Sequence, residues 1–377
     1  MTFKVYLIAG EPSGDLLGAR VMTALKKLSP DVQIFGVGGE SMETAGLKSL
    51  FNIKDLAVMG LFEVIPHLPK ILAHFVEIQA DIERIKPDII MTIDSYSFSI
   101  RVHKMLKRAN CSIPHVHLVA PQVWAWNKGR AKKIGHFVDH LFCLLPNEPG
   151  YFAPYGMPTT FVGHPVIEGG ADKGDAKAFR TKHNIPTDKR IICLLPGSRS
   201  NEINYLLKDF MHATENLLAT NPDLFVVIPT VQTVQDKITQ QTKDWAVPHI
   251  IVTGEKERYD AFAASVAAIA ASGTVSLELA LAGVPHLIAY KMNPITAALA
   301  RRVLKIKYVN LLNLLENTEI IPELLQENCT VPKITETMRL LLQGQNQDTA
   351  HALKQLGYNT SPSEKVAENL IKLARNA

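Results

Sequence analysis

The sequence predicts an α/β protein made of two consecutive parallel-sheet halves. Three observations carry this. Short apolar runs alternate with segments of helical period, the pattern that gives right-handed crossovers and a mostly parallel sheet. The alternation stops in a polar, turn-rich stretch and then restarts. The 377 residues, at roughly 150 per domain, leave room for two domains.

In the first half, residues 4–9 read as a buried strand and 16–28 as a helix of 3.6-residue period. Residues 33–37 give a second strand, closed by the Gly38-Gly39 turn. A third strand spans 88–93, a helix 100–109, and further strands 115–119 and 140–145. Gly163-His164-Pro165 and the run from Glu168 to Asp175 mark the boundary. Beyond it, strands are expected at 190–195, 224–228, 249–252, 266–270 and 285–290, with a helix at 274–282. Residues 363–377 form an amphipathic helical tail, and no fixed-period repeat is visible.

Composition excludes several classes. Hydrophobic residues make up 47% and charged residues 20%, which is globular and not disordered. A net charge of +4 is too small to argue for a nucleic-acid binder. The four cysteines form no C-x-x-C pair, which removes the common zinc and thioredoxin patterns and points to a reducing, intracellular compartment. The first apolar run, residues 5–9, is too short for a signal-peptide core, and no run of about 18 to 20 apolar residues could span a membrane. A soluble or peripherally attached protein is expected.

Ligands of open parallel sheets bind at the carboxyl ends of strands, so the loops after strands are where chemistry is sought. Gly10-Glu11-Pro12-Ser13-Gly14-Asp15 follows the first strand and opens a helix. It is an anion cradle, or a turn with Ser13 as N-cap; it matches neither the dinucleotide fingerprint nor a P-loop. Asp94 ends a buried strand, where a general base would sit, or where a carboxylate would cap the next helix. Leu195-Pro196-Gly197-Ser198-Arg199 offers backbone, hydroxyl and guanidinium donors to a phosphate, or simply carries a surface arginine. Ala271-Ser272-Gly273-Thr274 runs into a helix whose N-terminus favours a diphosphate. Glu278, a turn further on, suits a ribose diol or an ion pair.

Residues 101–138 hold eight basic residues and no acidic one, with Trp124, Trp126 and Phe137 interleaved. The stretch suits nucleic acid or an anionic membrane surface, or is a solvated face. Residues 56–76 are apolar and suit acyl chains or a bilayer, or form a core helix.

Taken in order, these segments, with Ala57-Val58-Met59-Gly60, Pro121 to Trp126, Lys133-Ile134-Gly135, Tyr308-Val309-Asn310-Leu311 and Pro322 to Gln326, resemble the lipid-A-disaccharide synthase family over about residues 4–330. The resemblance implies a glycosyltransferase of GT-B architecture: two Rossmann-like domains facing across a cleft, the C-terminal helix crossing back to the first. Residues 1–165, plus about 355–377, would be the membrane-facing acceptor domain, and 166–354 the UDP-donor domain. The implied reaction is inverting transfer of 2,3-diacylglucosamine from UDP-2,3-diacylglucosamine to 2,3-diacylglucosamine 1-phosphate. It yields a β-1,6 disaccharide 1-phosphate and UDP in lipid A biosynthesis, at the inner face of the bacterial inner membrane. Asp94 and Arg199 match the family's strand-end aspartate and its Pro-Gly-Ser-Arg arginine.

In that reading Asp94 is the base. Gly197, Ser198, Arg199, Ser272, Gly273, Thr274 and Glu278 hold UDP. Gly10, Glu11, Ser13, Gly14, Asp15, Gln122, Trp124 and Asn313 line the acceptor or cleft loops. No metal, cofactor or nucleic acid is called for, and a homodimer is one assembly open to the chain. The chain departs from the family pattern at Ser97, where a second acid is usual, at Asn127, where an arginine often follows Trp-Ala-Trp, and at Leu312, which replaces a proline. Other readings are a UDP-N-acetylglucosamine 2-epimerase, a transferase with a lipid-linked muramyl acceptor, and a non-catalytic nucleotide-sugar or lipid-binding module.

Overall fold

The computed structural model describes residues 3–56, 61–124, 129–303 and 306–376, and of residues 61–68, 295, 299, 300 and 303 the backbone alone. The chain divides into two compact units, Met1–Pro165 with Asn359–Ala377, and Val166–Tyr358. Each is built on a six-stranded sheet.

The first sheet comprises β1 (Lys4–Ala9), β2 (Gln33–Val37), β3 (Ile89–Ile93), β4 (His115–Leu118), β5 (His140–Cys143) and β6 (Thr159–Phe161), in the order β2-β1-β3-β4-β5-β6. The second comprises β7 (Arg190–Leu195), β8 (Leu224–Thr230), β9 (His249–Thr253), β10 (Ser265–Ala270), β11 (His286–Tyr290) and β12 (Glu323–Leu325), in the order β12-β11-β10-β7-β8-β9. Every strand pair among the described residues is parallel, where the sequence alone predicts only mostly parallel. The three-residue edge strands β6 and β12 carry too little periodicity to be seen in sequence.

Both sheets are largely buried and apolar on both faces, as parallel sheets covered by helices must be, apart from a few buried polar residues such as those on β3, β4 and β11. On β1, Val5, Leu7 and Ala9 pack on one side with helix Pro12–Leu28, and Tyr6 and Ile8 on the other with helices Leu61–Ile85 and Tyr96–Arg108. In the second unit, Ile192, Leu194, Val226 and Ile269 meet helices Ser200–Leu218 and Val331–Leu342.

The first helix begins at Pro12, earlier than the apolar period indicates, because proline fits the first helical position, where no donor is needed. The terminal helix Pro362–Arg375 returns to the first unit and buries Val366, Ala367 and Leu370 beside helix Pro12–Leu28. In helix Leu61–Ile85, Ile78, Ile82 and Ile85 are core, whereas Leu72 and Val76 face solvent. Within the segment 56–76, Leu56 and Phe75 are half-buried against the core while Leu72 and Val76 are exposed; residues 57–60 lie outside the described residues. Among the described residues no helix is long and apolar enough to cross a membrane.

Candidate active site

Strand order sets where ligands go. In the first sheet the connections run outward in opposite directions from β1 and β3, and in the second from β7 and β10. These adjacent pairs are the topological switch points, where the loops diverge and leave a crevice. Ala9 pairs with Ile93, and Leu195 with Ala270. The four loops singled out in the sequence therefore meet two by two.

In the first unit, loop 10–15 lies against Asp94 and Ser95. The approach is close: a Cβ at Gly10 would sit 2.6 Å from the Ser95 Cβ, and one at Gly14 2.9 Å from the Ile93 carbonyl oxygen. Asp94 Oδ2 accepts a 2.7 Å hydrogen bond from Ser13 Oγ, and Oδ1 accepts from the Ser95 amide at 2.9 Å. That amide also donates to Glu11 Oε1 at 3.0 Å. Burial, reinforced by the nearby Asp94 charge, raises the Glu11 carboxyl above its usual range. Asp94 and Ser95 both have positive φ, 55° and 43°, an uncommon conformation held by Ser99 Oγ donating to the Asp94 carbonyl at 2.7 Å. The helix N-cap is Glu11, without a side-chain cap bond, so Ser13 is not the cap; its hydroxyl serves Asp94. Neither is Asp94 the cap of the following helix, whose cap residue is Ser95.

Asp15 is corrected. It is buried and accepts the amides of Gly39, Ser41 and Met42 at 2.7, 2.9 and 3.0 Å, closing the start of helix Glu40–Thr44. Both its carboxylate oxygens are occupied by backbone amides. Gln122 is exposed, and Trp124 is half-buried against Glu148. Glu148 accepts the Leu144 and Leu145 amides at 2.9 and 3.0 Å, and burial pushes its carboxyl up to about 7. Trp126 and Asn127 lie outside the described residues.

The sequence gives no hint of the cluster beneath Asp94. Thr92 Oγ1 lies 2.7 Å from both His103 Nε2 and His117 Nδ1, and the His115 ring packs tilted against His103 at 5.1 Å between centroids. All are buried, and burial lowers His115 and His117 to about 4, so the imidazoles are neutral near pH 7.

In the second unit, Gly197, Ser198, Arg199, Ser272, Gly273, Thr274 and Glu278 all line one cavity of about 310 Å³. Gly197 has φ 112°, and a Cβ there would collide with Glu202. Glu202 Oε2 accepts the Ser198 and Arg199 amides at 2.9 and 3.2 Å, reaching back as an N3 glutamate does to cap helix Ser200–Leu218. The Arg199 guanidinium donates to Glu202 Oε1 at 3.0 Å yet stays 74% exposed. Glu278 is ion-paired with Arg258 at 3.0 Å, and the Tyr259 hydroxyl donates to it at 3.3 Å. Burial raises its carboxyl while Arg258 opposes that rise.

Sequence reasoning missed Glu202, Thr230 and Arg258, which complete the cavity. The buried Thr230 hydroxyl has no hydrogen-bond partner among the described residues, as expected of a group kept for a ligand. Asn313 is the second correction. It is fully buried, donates to the Ile321 carbonyl and Glu323, and accepts the Ile320 and Ile321 amides. Its amide ties two segments of the second unit together.

A family model described as lipid-A-disaccharide synthetase matches residues 5–374. The lipid-A-disaccharide synthase of Rhodospirillum centenum is 45% identical over 377 residues, covering 98% of this chain and 94% of that protein. That of Paramagnetospirillum magneticum is 46% identical over 381 residues, covering 98% and 97%. Among solved structures, UDP-GlcNAc 2-epimerase from Neisseria meningitidis bound to UDP-GlcNAc matches with a TM-score of 0.65 at 13% identity, covering 98% of this chain and 100% of that one. MurG of Acinetobacter baumannii matches at 0.59 and 14% identity, covering 98% and 99%. At these identities the structural likeness is one of fold, the GT-B fold of UDP-sugar enzymes. With the family model spanning nearly the whole sequence, the chain belongs to the lipid-A-disaccharide synthase family of glycosyltransferases.

Proposed function

We propose that this chain transfers 2,3-diacylglucosamine from UDP-2,3-diacylglucosamine to 2,3-diacylglucosamine 1-phosphate, with inversion at the anomeric carbon. The observation that carries this is the convergence of the Arg199, Ser272–Thr274 and Glu278 segments on one cavity at a switch point. Its size, its exposed guanidinium and its small-residue loops suit a nucleoside diphosphate.

The second unit binds the donor. Ser272, Gly273, Thr274 and Arg199 meet the diphosphate, and Glu278 releases part of its contact with Arg258 to accept the ribose hydroxyls. The first unit binds the acceptor. Asp94, held by Ser13 and the Ser95 amide, accepts the proton of the acceptor 6-hydroxyl as its oxygen attacks the anomeric carbon. The bond from that carbon to the diphosphate oxygen breaks, and its electron pair leaves with UDP. Arg199 stabilises the charge that develops there. A β-1,6 disaccharide 1-phosphate results. Exposed Leu72 and Val76, together with exposed Arg101, Lys104, Lys132 and Lys133, support attachment of the first unit to an anionic membrane surface on the cytoplasmic side.

The test is UDP release from UDP-2,3-diacylglucosamine, with and without 2,3-diacylglucosamine 1-phosphate, in EDTA. Acceptor-dependent release and a disaccharide by mass spectrometry are expected. Protein that binds UDP but shows no acceptor-dependent release would move the function to another UDP-sugar substrate, with epimerisation next.

A further inference from the structure

A second cavity opens on the same unit. It has a volume of about 430 Å³, and its walls are Tyr205, Met292, Pro294, Ala297 and Ala298. We infer that this groove holds an acyl chain of the donor sugar; the inference rests on the donor reading above.

Position is the first argument. β11 and β12 stand beside β10 in the sheet, so the segments at Lys291 and Gln326 rise from the same carboxyl edge as the loops of the nucleotide cavity. Helix Ser200–Leu218 joins the two cavities: Glu202 lines the first, and Tyr205, three residues and nearly one turn on, lines the second. Tyr290, the residue before Lys291, feels the charges of both Glu202 and Arg199. A chain attached to a sugar at the diphosphate therefore has an apolar channel beside it.

Chemistry is the second. Two cations stand at the groove, Lys291 and Arg301, yet neither is free to hold an anion. Lys291 is paired with Asp209 and Arg301 with Glu327. The Gln326 side chain already accepts the Met292 amide at 3.4 Å. With its charges paired, the groove offers a ligand mainly methyl, methylene, thioether and ring surface. A sugar hydroxyl placed there would lose its water without gaining partners, whereas a methylene chain loses nothing polar. The two adjacent alanines keep the channel open, since any larger side chain at 298 would stand in it.

The test compares binding of UDP-N-acetylglucosamine with that of UDP-glucosamine carrying two hexanoyl chains, by calorimetry, in the full chain. The wild type is expected to prefer the hexanoyl compound, by about fourfold for each methylene the groove buries. Ala298→Trp is expected to reduce that preference by about tenfold or more while leaving UDP affinity within about twofold. Tyr205→Ser, at a position 41% exposed and safe for folding, is expected to weaken it in the same direction. Equal affinity of the wild type for the two compounds, or a preference unchanged in both variants, overturns the inference. A wild type that prefers the hexanoyl compound, loses that preference in the variants and yet transfers nothing leaves the groove standing and sinks the transferase reading.

Discussion

Ser13 donates a 2.7 Å hydrogen bond to the Asp94 carboxylate across 81 residues of sequence. The bond exists because β1 and β3 are parallel neighbours and end together, Ala9 opposite Ile93. Gly10 and Gly14 let the two loops touch. A carboxylate held on one oxygen by a hydroxyl and on the other by an amide has a fixed orientation, as a base aimed at one proton requires.

Asp94→Asn keeps the shape and removes the proposed base. Turnover is expected to fall by about 10²–10⁴, with UDP affinity unchanged. Ser13→Ala, which only loosens the carboxylate, is expected to cost about tenfold or less. Steady-state rates and UDP titration check both. Unaltered turnover in Asp94→Asn retires it as the base.

Arg199 and Glu202 share an ion pair but separate by role. Arg199→Ala is expected to cost on the order of 3 kcal/mol of transition-state stabilisation, as removal of an oxyanion donor does. Its melting temperature should barely move, because the exposed pair contributes little. Glu202→Ala is expected to destabilise by about 1–2 kcal/mol, because two amides at the helix start lose their acceptor. Thermal melts set beside kcat/KM for the two variants decide; matching profiles would contradict the division.

Stability should depend on pH with two opposite signs. Glu148 has a folded value of about 7 against 4.5, so its contribution is present below 4.5 and is lost as pH rises through 7, about 3 kcal/mol in full. The buried imidazoles of His103, His115, His117 and His286 are all depressed by burial, three of them to about 4. The unfolded chain therefore takes up their protons first, and their contribution is present above 6.5 and lost as pH falls toward 4. Between 4.5 and 6.5 the four imidazoles outweigh one carboxyl, so acid destabilises. Melting curves at pH 5, 6.5 and 8 should show wild type least stable at pH 5. Glu148→Gln, which removes the carboxyl's opposing slope, should steepen the loss between pH 6.5 and 5; an unchanged slope there would show that Glu148 does not titrate in that range.

The terminal helix is a structural part of the first unit. Leu370 is fully buried against helix Pro12–Leu28, so Leu370→Ala is expected to cost about 2–5 kcal/mol. Breaking the exposed Lys27–Glu364 pair with Glu364→Gln should shift the melt far less. Equal melts for the two variants would count against the packing role.

Much of this site was legible from strand ends. Asp94, Arg199 and Ser272–Thr274 stand directly after apolar runs, and parallel sheets place ligand loops there. Polar residue type alone does not tell a ligand-facing group from one that satisfies buried backbone. Asp15 and Asn313 look like site residues in sequence, but their acceptors are occupied by amides. Glu202 stands three residues after Arg199 and Thr230 ends strand β8, positions that could have marked them, whereas Arg258 reaches the cavity from a helix with no motif. The Thr92–His103–His117 cluster is likewise invisible, because a helix and two strands bring it together.

By itself the sequence determined the α/β class, the two halves and the ordered set of strand-end loops. Those follow from local periodicity and from turn residues that act over a few positions. Tertiary structure alone decided strand order, and with it the β1/β3 and β7/β10 crevices. It also decided which polar side chains remain for a ligand and which are consumed by buried backbone. Register and burial are set by contacts between residues far apart in the chain, and each buried donor or acceptor must find its partner there.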